Sequence, residues 1–119
     1  MQQEITRVAL DAMGGDNAPG ELVKGAVDAV NGRSDIKVLL VGQQDVVEKE
    51  LKQYSYPKEQ IEVVHAEEVI ETAEPPVNAI RKKKQSSIVV GMNMVKQKEA
   101  EAFVSAGSSG AILVGGQVI

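Results

Sequence analysis

The chain has 119 residues, of which 43% are hydrophobic and 25% charged, with a net charge of −4. This is the balance of one soluble globular domain or part of one, and its acidity excludes a general electrostatic pull toward nucleic acid, where binding rests on phosphate neutralisation. The lack of cysteine excludes disulfide scaffolds and Cys-type zinc sites and fits a reducing compartment.

Only 3% of residues are aromatic, so the core is expected from Val, Ile, Leu and Ala, which pack well on pleated sheet surfaces. The start, Met1-Gln2-Gln3-Glu4, has no basic region ahead of an apolar stretch, and no apolar run approaches the roughly 18 residues of a spanning helix. A soluble, cytoplasmic chain is the expectation.

In chain order, Thr6 to Leu10 reads as a strand ending in Asp11-Ala12-Met13-Gly14-Gly15-Asp16. Pro19 stands at a first helical position, where its missing N–H costs nothing. Leu22, Val23, Ala26, Val27 and Val30 then recur at helical spacing. Asn31-Gly32 is expected to close this helix, since either residue accepts a left-handed conformation past a helix end. Ile36 to Val41 is a near-continuous apolar run, the pattern of a strand covered on both faces. Val47, Leu51 and Tyr54 define a second helix, which Pro57 prevents from extending.

Ile61 to Val64 is a third strand, followed by His65-Ala66 and a loop from Glu67 to Ala73. Pro75-Pro76 opens a helix through Val77, Ala79 and Ile80. Ser86-Ser87 caps another, carrying Ile88, Val89, Met92 and Val95. Gly91 inside that helix costs about 1 kcal/mol against Ala, which close packing against another helix would explain. Ala102 to Ser105 is a fourth strand, and Ala106-Gly107-Ser108-Ser109-Gly110 turns into Ala111 to Val114. The order β-α-β-α-β-(α-α)-β-α predicts an α/β protein with a parallel sheet covered by helices on both faces. The chain stops on Gly115-Gly116-Gln117-Val118-Ile119 with no polar tail, so further chain or a covering partner is expected beyond it.

In open parallel sheets ligands bind at the carboxyl ends of strands. Two predicted strand ends are glycine-rich and polar: Asp11 to Pro19, with Gly14, Gly15, Asp16 and Asn17, and Ser105 to Ala111, with Gly107, Ser108, Ser109 and Gly110. Each leads from strand to helix, so backbone N–H groups and the positive helix end would converge on a phosphate or carboxylate. The plainer reading makes the glycines tight turns and the serines helix caps. Gly15 and Gly20 have P-loop spacing, but Glu21 stands where lysine is required. No dinucleotide fingerprint and no G-x-S-x-G elbow is present.

Asp11 and Asp16 orient a substrate or hold a divalent ion on one reading, and satisfy neighbouring backbone and a helix N-terminus on the other. Arg81-Lys82-Lys83-Lys84 is the densest basic run, read either as a solvated helix end or as a patch for an acidic partner or phosphate. His65, the only histidine, could act as an acid or base, though a structural role is the commoner one.

Three of these segments together resemble the PlsX family of phosphate acyltransferases. Asp11-Ala12-Met13-Gly14-Gly15-Asp16 with Ala18-Pro19 is similar to the family's opening signature. His65 to Ile70, then Pro76-Val77, Ala79, Arg81, Lys83-Lys84 and Ser86-Ser87, resembles its middle motif. Ala106-Gly107-Ser108-Ser109-Gly110-Ala111 is similar to its Ala-Gly-Asn-Thr-Gly-Ala loop, with Ser108 and Ser109 retaining hydroxyls but losing the amide. Asn78 stands where some relatives carry a basic residue.

The resemblance implies a Rossmann-like three-layer α/β/α fold, like that of isopropylmalate-type dehydrogenases. Residues 1–119 would be the N-terminal portion of a single, incomplete domain, inactive alone. It implies acyl transfer from acyl carrier protein to inorganic phosphate, giving acyl-phosphate for phospholipid synthesis. The implied phosphate and substrate residues are Asp11, Gly14, Gly15, Asp16, Asn17, Gly107, Ser108, Ser109 and Gly110. Arg81, Lys83 and Lys84 form the implied carrier-protein or phosphate patch. The implied protein is a homodimer, peripheral to the inner face of the cell membrane, with no cofactor, no metal and no nucleic acid; no catalytic acid or base is assigned. Two other classes stand beside it: a phosphotransacetylase- or dehydrogenase-like enzyme on a small acid, and a non-enzymatic anion-binding module.

Overall fold

The computed structural model describes residues 5–14, 18–67 and 86–105. Four strands form one sheet in the order β3-β2-β1-β4, and every neighbouring pair is parallel. The strands are β1 (Thr6–Asp11), β2 (Ile36–Gly42), β3 (Ile61–His65) and β4 (Ala102–Val104). The helices are α1 (Gly20–Gly32), α2 (Gln44–Leu51) and α3 (Ser87–Lys96), with a 3-10 turn at Lys58–Gln60. This is the expected Rossmann-like α/β arrangement.

The apolar run of β2 is covered on both sides, as its composition predicts. Val38 and Leu40 join one core with Val23, Ala26, Val27 and Val30 of α1 and Val47 and Leu51 of α2. Leu39 and Val41 face the opposite core with Ala9 of β1 and Met94 of α3. Alternate residues of one strand therefore feed two helix layers, the period-2 consequence of a pleated backbone.

Several boundaries differ from the sequence reading for local reasons. Pro19 is the residue before α1, and its carbonyl accepts the first helical bond from Val23 N–H at 2.9 Å. Neither Asn31 nor Gly32 lies past the helix end: α1 runs through Gly32 and stops at Arg33, which is extended (φ −143°, ψ 137°). The Gln60 side chain donates to the Arg33 carbonyl at 2.7 Å, and Asn31 Nδ2 donates to the Ser55 carbonyl at 3.1 Å. Side chains do there what a left-handed glycine was expected to do.

The second helix ends at Leu51, before Tyr54. Gln53 and Tyr54 N–H bond to the carbonyls of Glu50 and Leu51, a tightened last turn. Tyr54 still packs on the core that α1 and α2 share.

Ser86 caps α3 as expected, its Oγ accepting from Val89 N–H at 3.3 Å. The other end closes on a residue that composition does not flag. Lys98 takes φ 63°, while Glu99 N–H bonds to the Met94 carbonyl and Lys98 N–H to that of Val95. That pair of bonds is the Schellman pattern, normally built on glycine. Gly91 packs against Phe103 of β4, so its missing side chain serves a helix–sheet contact rather than the helix–helix contact expected. The helix read at Pro75 to Ile80 lies outside the described residues.

Candidate functional site

The four strands are parallel, so their carboxyl ends share one rim. Along it stand His65 of β3, Gly42 of β2, Asp11 of β1 and, just past β4, Ser105. Sequence order runs outward from β1 through β2 to β3, and β4 then returns to the other flank of β1. The strand order thus reverses between β1 and β4, and such a switch point is where open α/β sheets leave a crevice for ligands.

Asp11 sits at that point, only 1% exposed. Its Oδ2 accepts the Ser105 hydroxyl at 2.7 Å, and its Oδ1 accepts Met13 N–H at 2.9 Å. Register explains the first bond. Val8, Ala9 and Leu10 pair with Ala102, Phe103 and Val104, so the next residues of the two strands fall opposite each other. One carboxylate therefore ties together the starts of both glycine-rich segments. Burying it is tolerable because both oxygens receive donors.

The first segment then turns toward β2. Ala12 N–H bonds to the Val41 carbonyl at 2.9 Å. Ala12 and Gly14 are buried, and Met13 packs on the core shared with α1 and α2. The chain reaches α1 at Gly20, and a helix start presents N–H groups that have no partner within the helix itself.

At the far end, Ala66 N–H bonds to the Gly42 carbonyl at 2.8 Å. His65 is exposed, with Nδ1 accepting Gln44 N–H at the start of α2 at 3.2 Å and Nε2 3.8 Å from Glu67 Oε1. The backbone donor makes Nδ1 the acceptor and leaves the ring proton on Nε2. His65 here satisfies a helix N-terminus, one form of the structural role that is the commoner one for a lone histidine.

Of the predicted site residues, Asp11 and Gly14 are brought to the switch point. Gly15, Asp16, Asn17, Gly107, Ser108, Ser109, Gly110, Arg81, Lys83 and Lys84 lie outside the described residues. Ser105, Met13 and Gly42 are the rim residues that sequence reasoning did not single out. The only signal for Ser105 was a hydroxyl at a strand end, and its partner depends on β4 lying beside β1. A separate cleft of about 370 Å³ lies between α2, the 3-10 turn and β3, lined by Leu51, Lys52, Tyr56 and Lys58 among others. Neither Asp11 nor Gly14, the described members of the predicted site, lines it. Among the described residues, no three His, Cys, Asp or Glu side chains gather as a metal site, and no helix is long and apolar enough to cross a membrane.

A family model described as "Fatty acid synthesis protein" matches residues 6–119. A protein of Alkaliphilus oremlandii named "Phosphate acyltransferase" is 51% identical over 113 residues, 95% of this chain and 33% of its own length. Relatives of the same name in Clostridium acetobutylicum and Syntrophomonas wolfei are 47% and 51% identical, over 91% and 88% of this chain and 33% of each relative. The chain thus spans about a third of the length of the curated relatives it matches. With a parallel α/β sheet, a buried acid at its switch point and a family match from Thr6 onward, the chain belongs to the fatty acid synthesis protein family, PlsX.

Proposed function

We propose that the full-length protein transfers a fatty acyl group from the thioester of acyl carrier protein to inorganic phosphate. The observation that carries this reading is the switch point itself: Asp11 holds the roots of both glycine-rich segments together, through Ser105 at 2.7 Å and Met13 N–H at 2.9 Å. The shared name of the relatives supports the reaction class.

In this reaction an oxygen of monohydrogen phosphate attacks the thioester carbonyl carbon. A C–O bond forms, the C–S bond breaks, and the proton that phosphate gives up ends on the departing thiolate. The products are acyl-phosphate and the free thiol of the carrier. Two demands follow. Phosphate must be held beside the carbonyl, which supplies proximity, and the carbonyl oxygen must meet pre-aimed donors as its charge develops. Backbone N–H groups of Gly14, Gly15, Asp16 and Asn17 and of Gly107 to Gly110, with the Ser108 and Ser109 hydroxyls, are the proposed donors. A cradle of backbone N–H groups at helix starts binds an anion without a basic side chain. Asp11 acts as the brace of that cradle.

Arg81, Lys83 and Lys84 are the proposed contact for the acidic carrier, through complementary charge that raises the encounter rate. The family resemblance supports a homodimer working in the cytoplasm, in peripheral contact with the membrane.

The test is an assay of the full-length protein with acyl carrier protein thioester, measuring free thiol and trapping acyl-phosphate with hydroxylamine. Thiol release that saturates with phosphate and yields hydroxamate is expected. Release that ignores phosphate, or that requires acyl-coenzyme A in place of the carrier, would overturn the reading.

A further inference from the structure

Gly42 ends β2 directly beside the switch point. A Cβ built on it would lie 2.8 Å from Met13 Cγ, 3.1 Å from Met13 Sδ and 3.2 Å from Val47 Cγ2. Its backbone does not occupy the left-handed region, so the conformation itself does not demand glycine. The demand is for space, and Met13 takes it. Met13 lies across the end of β2 while its own N–H is held by Asp11 Oδ1 at 2.9 Å. Its neighbour Ala12 is tied to Val41 at 2.9 Å, and Gly42 is tied through its carbonyl to Ala66 at 2.8 Å. The turn from Asp11 to Gly14 is thereby fixed at one end by a carboxylate and at the other by a side chain resting on a bare strand end.

We propose that Gly42 is a positioning residue for phosphate: it forms the seat on which Met13 sets the Asp11 to Gly14 turn. This rests on the reading that phosphate binds at the switch point. A methyl group at position 42 cannot share the space with Met13 Cγ. The Met13 side chain must give way, and the turn it seats would lose that support, a misplacement of about an ångström or less. Val47 anchors α2 in the core and closes the other direction of escape. Displacements of that size are enough to change how a bound group is presented. Carrier protein, whose proposed contact is Arg81, Lys83 and Lys84, should not register the shift.

The experiment is steady-state kinetics of the full-length protein with phosphate and acyl carrier protein thioester varied in turn. Gly42→Ala is expected to raise the KM for phosphate about tenfold, the scale of a sub-ångström misplacement, with the KM for carrier within about twofold. Met13→Ala should raise the phosphate KM several-fold, and Gly42→Ala/Met13→Ala should match Met13→Ala rather than multiply the two defects. An unchanged phosphate KM in Gly42→Ala, equal rises in both KM values, or multiplied defects would each overturn the proposal. If Gly42→Ala does not fold, Met13→Ala decides: a selective rise in phosphate KM supports the seat and an unmoved one removes it. Wild-type turnover that does not depend on phosphate removes the underlying reaction and the seat together. Wild-type saturation by phosphate with unmoved variants removes the seat alone.

Discussion

Replacing Gly91 by alanine sets two effects of opposite sign against each other. Alanine is the better helix former by about 1 kcal/mol, and at an exposed site the change would stabilise α3. Here, however, the new Cβ would fall 2.2 Å from Phe103 Cε1, 2.4 Å from Cδ1 and 3.1 Å from Cζ. No real Cβ contact is that short, so either α3 lifts from the sheet or the Phe103 ring turns out of the core it shares with Leu39, Val41 and Met94. Overpacking of this kind costs about 1–3 kcal/mol, and losing part of the buried face of Phe103 adds to it at about 25 cal/mol per Å². Net destabilisation of about 1–2 kcal/mol is therefore expected after the helix gain is subtracted. Urea denaturation of the full-length protein measures it as a lower midpoint at unchanged slope. Gly91→Ala/Phe103→Leu should recover most of the loss, because leucine removes the ring edge that collides. A single variant as stable as wild type, or more so, would refute the packing argument, since helix propensity would then outweigh the contact.

Asp11→Ala removes at once the acceptor of the Met13 N–H bond and of one Ser105 hydroxyl bond and should cost about 2–4 kcal/mol, against about 1–2 for Ser105→Ala, which leaves the Met13 bond in place; thermal denaturation ranks the two, and equal losses would contradict the brace. Lys98→Gly should stabilise the protein by about 0.5–1 kcal/mol, because relief of the left-handed conformation exceeds the entropy cost of glycine; a lower urea midpoint would count against it. Hydrogen bonds from Arg7 hold the Glu101 carboxyl below the usual range, so its contribution is present at neutral pH and lost as pH falls through and below about 4.3. The stability difference between wild type and Glu101→Gln should accordingly narrow toward acid pH, and one that widens would have the wrong sign. High salt should also shrink it, since Arg7 and Glu101 are 42% and 46% exposed.

The parts of the fold that were legible are those set by local pattern. The run from Ile36 to Val41 announces a strand covered on both faces, and Ser86 before an apolar helix announces its cap. Tyr54 continues the helical spacing but not the helix, because an aromatic can reach the core from a turn as well as from a helix face. Lys98 gave no signal, since its left-handed backbone is imposed by the Schellman bonds to Met94 and Val95 and not by its side chain. The cost of Gly91 was readable, but its beneficiary was not: Phe103 is distant in sequence and reaches α3 only because β4 lies next to β1. The same adjacency hid Ser105. The first segment stands out in the sequence through Asp11 and its glycines, while Met13 and Gly42 meet only because β1 and β2 lie side by side.

That adjacency also reconciles the proposed oxyanion at the rim with a buried carboxylate in it. A bare Asp11 would repel phosphate and would be costly to bury. Instead its two oxygens take a hydroxyl and a backbone N–H from the segments it joins, which directs its charge into the sheet's own framework. On the proposed reading the anion is met instead by backbone N–H groups, and the positive end of the α1 dipole favours it. In the proposed site the acid is the brace and the amides are the ligands, so the first would fix the geometry that the second requires. Exchanging Asp11 for asparagine separates the two contributions, because one carbonyl oxygen can still accept from Met13 while the amide must turn a donor toward Ser105. If the carboxylate acts as a brace, Asp11→Asn should fall between wild type and Asp11→Ala in stability and lose phosphate affinity in the same order. If its charge mainly opposed phosphate, the asparagine variant would bind phosphate more tightly than wild type.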